Sequence, residues 1–375
     1  RSLPASINWT VDTLPPATSI NSAIDGNNKT LDNKDNSSST SITFTITGSD
    51  SGGVGVNHIE CSLDGGPFAI CKSPIEYSSS NISDGAHIFE ARAVDTVGNK
   101  DHSPSTFTWT VDTVPPDANI DSASDGKRIS IDTGGNTSSN SMTFNFSGID
   151  TGGKEGNGVG INHFECSLDN SNFTLCISPV HTVKLTDGPH ILDIRAQDNV
   201  GNISPSPSSF PWTVDTKPPT TNIDSATDGS KTTVTNGGDT KSTSISILFS
   251  GNDTGVGVGK FECSLDNSNF TACTSPVQSV NLTDGHHVFE IKAQDKVGNS
   301  GVSPSSFRWT VDTTAPNTTI NSATDSHVKK IAMGGNSSSN SITLTFSGND
   351  TGVGINHFEC SIDSSNPVIC TSPIE

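Results

Sequence analysis

The sequence is poor in the residues from which a single large core is built. Of 375 residues, 30% are apolar, one is tyrosine and two are methionine. Yet 16 Phe and four Trp recur at fixed intervals, which points to several small cores rather than to a disordered chain. Positive charge is scarce too: 20 Lys and Arg against 40 Asp and Glu leave a formal charge of −20. That sign argues against nucleic acid or an anionic bilayer surface as partner, because both repel a polyanion. No apolar run is long enough to span a bilayer. Cys-x-x-Cys does not occur, and no helical period of useful length appears.

What the chain does contain is repetition. FECSLDNSNFTACTSPV from Phe261 has close counterparts beginning at Ile59, Phe164 and Phe358, so all eight cysteines fall into four pairs. These are Cys61 and Cys71, Cys166 and Cys176, Cys263 and Cys273, and Cys360 and Cys370. Nine residues between partners is too many for a zinc knuckle. Four identical local hairpins read as disulfides, hence an oxidising, extracellular or cell-surface setting. Reduced thiols buried in four cores are the alternative.

Trp-Thr-Val-Asp at Trp9, Trp109, Trp212 and Trp309 sets the period, with intervals of 100, 103 and 97 residues. Each tetrad leads into a proline-containing joint. The expected units are 14–113, 114–216, 217–313 and a shorter 314–375. Residues 1–13 read as the last strand of a preceding unit, so the sequence is expected to be a slice of a longer chain.

Within each unit the apolar period is two. Phe289, Ile291 and Ala293 alternate with Glu290, Lys292 and Gln294, and Phe307, Trp309 and Val311 alternate with polar neighbours. In the third unit the pattern places strand A near 221–224, B at 244–250, C at 260–266 and C′ at 270–274. Strands E, F and G follow at 276–282, 287–294 and 306–312. Seven short strands separated by turn signals predict an all-β, seven-stranded Ig-like sandwich of the fibronectin-III-like variety, with its disulfide inside one hairpin, C to C′. The polar stretch Asn33–Ser41 reads as a mobile connection.

The combination FECSLDNSNF, CTSPV, LTDGHHVFEIKAQDKVGN and WTVDTTAP closely resembles the tandem Ig-like repeats of large secreted and cell-surface proteins of bacteria and archaea. The resemblance runs over 14–375, four times. It implies export and a role as shaft, spacer or adhesive module, without catalysis.

Aspartate recurs at three places per unit that a sandwich brings to one pole. The incoming linker supplies Asp12, Asp112, Asp215 and Asp312, and the B–C loop supplies Asp50, Asp150, Asp253 and Asp350. The F–G loop supplies Asp95, Asp198 and Asp295, each followed by an amide at Asn99, Asn202 or Asn299. Three carboxylates and an amide suit Ca²⁺, a hard ion that takes six to eight oxygens, and related adhesin repeats stiffen their linkers with calcium. The competing reading is plain turn chemistry, in which Asp caps its own backbone and no metal is needed.

His87, His190 and His287 recur after Asp-Gly at the start of strand F, one per unit and too few for a metal; the pattern puts them partly exposed on the strand. Of the fourteen Asn-x-Ser/Thr sequons, those at Asn28, Asn36, Asn81, Asn136, Asn172, Asn281 and Asn336 are the candidate glycosylation sites. Gly-Val-Gly precedes a strand rather than a helix, so no phosphate cradle follows. No nucleophile–base pair marks one unit off from the others, and no enzymatic activity is expected. Three readings remain: a rigid cell-surface stalk or adhesin shaft, a subunit of an extracellular filament, and a spacer of a secreted enzyme. Expected partners are neighbouring copies of the chain, other surface proteins or glycans.

Overall fold

The computed structural model describes residues 4–152 and 158–375. The first repeat shows how the pattern becomes structure. Its strands are β1 (Ala17–Asp25), β2 (Asn36–Ser37), β3 (Ile42–Ser49), β4 (Val56–Leu63), β5 (Ala69–Cys71), β6 (Ile75–Tyr77), β7 (Gly85–Asp95) and β8 (Ser105–Val111). They form a three-stranded sheet, β1-β3-β6, facing a five-stranded sheet, β2-β8-β7-β4-β5. Alternation sends Phe44 from one sheet and Phe89 and Trp109 from the other into a shared core. The Phe44 and Phe89 rings stack at 4.1 Å, and Trp109 packs against Phe44 at 5.6 Å.

The same sheets recur in the second and third repeats, with strands running from Asp117–Asp125 to Ser208–Val214 and from Thr220–Asp228 to Ser305–Val311. All seven expected strands of the third repeat are present, with A longer than expected, at Thr220–Asp228, and bulged between Ile223 and Ser225. In residues 314–375 the strands Asn317–Asp325 and Ile342–Asn349 form one pair, and Phe358–Cys360 and Val368–Cys370 another. The chain divides into two compact units, Arg1–Val214 and Asp215–Glu375.

The four cysteine pairs are disulfides, each joining the C strand to C′ with Cα atoms 5.8–5.9 Å apart. Cys61 lies on the inner face of β4 among the core residues, so the bridge is part of the packing as well as a staple.

The stretch 33–41 is not the mobile connection that its composition suggested. Asn36 and Ser37 run parallel to β8, opposite Thr110 and Val111. Ser37 is buried and its hydroxyl donates to Asp25 Oδ2 at 2.6 Å. Asp25 Oδ1 meanwhile accepts from the Asn27 and Lys29 amides, which closes the turn after β1. Residues 4–13 form no strand, and Trp9 is 75% exposed where its counterpart Trp109 is 2% exposed.

Candidate functional site: the repeat joint

The three expected sets of aspartates do converge. In each of the groups Asp12, Asp50, Asp95; Asp112, Asp150, Asp198; and Asp215, Asp253, Asp295, one carboxylate oxygen per residue lies within 4.8 Å of the others. The second group illustrates how the fold assembles them. Asp112 leaves the end of β8 and is buried; its Oδ1 accepts from the Val114 amide at 3.1 Å and its Oδ2 from the Val159 amide at 2.9 Å. Asp198 ends the F strand and turns the chain: its Oδ1 accepts from the amides of Val200, Gly201 and Asn202 at 2.7–2.9 Å. Asp150, on the B–C loop, accepts from the Gly160 amide at 2.8 Å.

The linker carboxylate fills space that only glycine leaves open. A Cβ on Gly255 would stand 2.1 Å from Asp215 Oδ2, and one on Gly152 would stand 1.9 Å from Asp112 Oδ1. Those glycines are therefore part of the joint.

The amides of Asn99, Asn202 and Asn299, expected as oxygen ligands, are placed as donors. Asn202 Nδ2 donates to Asp198 Oδ2 at 2.7 Å and to the Asp112 carbonyl at 3.0 Å. Asn99 and Asn299 do the same with Asp95 and Asp12, and with Asp295 and Asp215. Each asparagine straps the F–G loop to the incoming linker. Asp312 and Asp350 accept from the neighbouring Val353 and Gly354 amides at 2.9 and 3.0 Å respectively.

Electrostatically the carboxylates differ. Burial lifts the Asp112 carboxyl above its ordinary value, and the negative charges of Asp150 and Asp198 push the same way, against the bonds from Val159 and Val114. Burial also tends to lift Asp95, but the Asn99 side chain and the amides of Asn99, Gly98 and Val97 outweigh it and hold that carboxyl below its ordinary value. In the third group Asp253 Oδ1 is buried with no hydrogen-bond partner.

A second set of contacts, which the sequence did not reveal, holds the other side of the linker. Thr113 donates to Asp84 Oδ1 through its amide at 3.0 Å and its hydroxyl at 2.9 Å. Thr313 does the same to Asp284. Asp-Gly at Asp84 and Asp284 had signalled only a turn. The recurrence of Thr directly after each Trp-Thr-Val-Asp was the available clue.

Other expected positions fall as follows. His87, His190 and His287 are buried rather than partly exposed, because their strand faces the core at that point. Six of the seven candidate glycosylation asparagines are exposed; Asn36 is half-buried within β2. On the outer face of the larger sheet, Arg92 binds Glu60 Oε2 through Nε at 2.8 Å and lies 3.9 Å above the Phe68 ring. Arg195 with Phe173 and Lys292 with Phe270 repeat the ring contact.

No family model matches the chain, and neither does any curated protein. Among solved structures, the fibronectin(III)-like modules of Clostridium thermocellum CbhA are 16% identical, over 53% of this chain and 94% of that one, with a TM-score of 0.28. A structure concerned with host cell surface retention of a 1.5-MDa bacterial ice-binding adhesin is 12% identical, over 80% and 100%, with a TM-score of 0.34. A tetra-tandem repeat from the extending region of a large adhesion protein is 18% identical, over 91% of each chain, with a TM-score of 0.28. At these scores the class of the protein rests on its own sheets. The chain is a tandem array of fibronectin-III-like β-sandwiches, each complete repeat stapled by a disulfide within one hairpin.

Proposed function

We propose that the chain is a mechanical segment of an extracellular surface protein, a stalk or adhesin shaft whose joints are stiffened by calcium. The observation that carries this reading is the grip on the linker between the first two repeats. Asp112 is held by Val159 and Asn202 of the following repeat, while its neighbour Thr113 is held by Asp84 of the preceding one. A two-residue segment pinned from both sides cannot bend freely, and the prolines beside it restrict φ further. The disulfides favour an oxidising exterior, and the charge of −20 favours water and cations over polyanions.

Calcium fits the carboxylates of the joint. Asp215, Asp253 and Asp295 would hold it in the third repeat, where the buried, unpartnered Asp253 Oδ1 is the kind of atom a cation would satisfy. Asp12, Asp50 and Asp95, and Asp112, Asp150 and Asp198, would do so in the other two. The ion would neutralise three clustered negative charges. The asparagines stay donors in this reading, and remaining ligands would come from backbone carbonyls and water.

We take 14–113, 114–216 and 217–313 as independently folding domains, and the function as mechanical rather than catalytic because the same polar groups recur at the same positions. A filament subunit is the second reading, with copies of the chain as partners. Small-angle scattering of the whole chain in millimolar calcium and then in EDTA tests the proposal. A maximum dimension that shortens or broadens in EDTA is expected for a calcium-stiffened shaft. Superimposable curves would remove calcium from the account. A mass several times that of one chain would favour the filament.

A further inference from the structure

The buried histidines are the groups that a stalk does not explain. His87 Nδ1 lies 2.8 Å from Asp64 Oδ2 and Nε2 lies 2.6 Å from the Ser83 carbonyl. His190 makes the same two bonds with Asp169 and the Thr186 carbonyl, and His287 with Asp266 and the Thr283 carbonyl, all at 2.8 Å. Both partners of each ring are acceptors: a carboxylate and a backbone carbonyl have no proton to give. A neutral imidazole carries one N–H and would leave one lone pair facing an oxygen. Both bonds form only when both nitrogens are protonated.

The surroundings support the charged form. Each ring lies flat against the tryptophan of strand G, with centroids 5.2–5.5 Å apart for Trp109, Trp212 and Trp309. The carboxylates are partly exposed and are themselves anchored, since Asp64, Asp169 and Asp266 also accept from the amides of Ile88, Ile191 and Val288. The neighbouring Asp84 and Asp284 are engaged with Thr113 and Thr313. Lys34 lines the same hollow as His87 in the first repeat; the matching positions that donate to strand G in the other repeats are Gly134 and Gly237.

We propose that each complete repeat contains a histidine latch, a buried imidazolium joining the C–C′ turn to the E–F loop, which opens when the ring gives up its second proton. For His287 burial works against the charge, but the Thr283 carbonyl and Asp266 outweigh it and the ring's proton affinity is raised. The sign follows. A histidine whose folded value exceeds the unfolded one, near 6.5, stabilises fully below about pH 6.5 and loses that contribution as pH climbs through the folded value.

Nitrogen NMR of the whole chain, with ¹⁵N-histidine and in EDTA so that joint ions play no part, tests the latch without altering the fold. Three of the ten histidines are expected to show both nitrogens protonated at pH 6, and the midpoint of His287 to lie above the ordinary value. Buried rings that show one unprotonated nitrogen at pH 6 would overturn the proposal. Melting supplies the second readout. The transition is expected to fall by about 4–8 °C between pH 6 and pH 9, the size of a change of roughly 1 kcal/mol in a domain of this length. The Asp64→Asn, Asp169→Asn, Asp266→Asn chain, assigned by its own spectrum, is expected to lose most of that dependence. An unchanged dependence in that variant would also overturn the latch.

Discussion

Asn202 Nδ2 lies 3.0 Å from the backbone carbonyl of Asp112, ninety residues earlier in the chain. The same nitrogen reaches Asp198 Oδ2 at 2.7 Å, so one amide ties the F–G loop of a repeat to the linker that enters it. Replacing Asn202 by Ala removes a donor and leaves a buried carboxylate oxygen unpaired. The expected cost is about 1–3 kcal/mol of stability, read as a lower denaturant midpoint with unchanged slope. An Asn202→Asp chain adds a fourth negative charge, and calcium is expected to recover more of its stability than that of the Ala variant.

Gly255→Ala is expected to disturb the joint of the third repeat without removing a polar group. Its Cβ would meet Asp215 Oδ2 at 2.1 Å, the same atom that accepts from the Val256 amide at 2.9 Å. Either the linker or the B–C loop must move. The expected loss is roughly 1–3 kcal/mol, with accelerated amide exchange at Val256. Normal exchange there would show that the linker is not seated on this loop.

Each disulfide closes a loop between residues ten apart. On the chain-entropy estimate each bridge contributes about 2.5–3 kcal/mol. Reduction is expected to lower the melting transition of the chain sharply, and a Cys263→Ser, Cys273→Ser chain to lose stability in the third repeat alone. Limited proteolysis, mapped by mass, separates local from general loss.

Much of this architecture was legible in the sequence for a physical reason. Phe289, Ile291 and Ala293 alternate with polar neighbours, and period two leaves no doubt about which face is buried. The cysteine pairs announced their own partners, since ten residues around an Asp-Asn turn bring two strands together. What escaped detection lacks such a period. Asn36 and Ser37 form only two residues of parallel pairing, inside a stretch whose composition is that of a loop. The bond that holds His87 reaches Asp64, 23 residues away in a turn where aspartate already has a local use. The clamp on Thr113 likewise depends on Asp84, 29 residues off. Polar pairs distant in sequence leave no pattern in either segment alone.

The acid side of the stability curve should be set by turn aspartates. The Thr232 amide, then the Thr240 hydroxyl and Ser230 amide, hold the Asp228 carboxyl below its ordinary value in spite of burial. A depressed carboxyl stabilises above the unfolded value, near 3.9, and loses that contribution as pH falls through the folded one. Asp228→Asn is therefore expected to melt below the parent chain at pH 7 and to converge with it at about pH 3 or lower. A constant gap would mean that shape, rather than charge, matters at Asp228.

Asp112 should behave in the opposite sense, and this separates ion binding from turn formation at the joints. Its carboxyl is raised by burial and by Asp150 and Asp198, so its ionised form opposes folding at neutral pH. In EDTA, stability of the second repeat is expected to increase as pH falls toward the raised value, before the turn aspartates begin to protonate. A bound cation would remove that repulsion at pH 7, so in calcium the increase should disappear. Asp112→Asn should lose the difference between EDTA and calcium at this joint, because it has neither the repulsion nor the ligand. If parent and variant respond alike to calcium, the ion acts elsewhere, and the joint is held by the amides of Val159 and Asn202 alone.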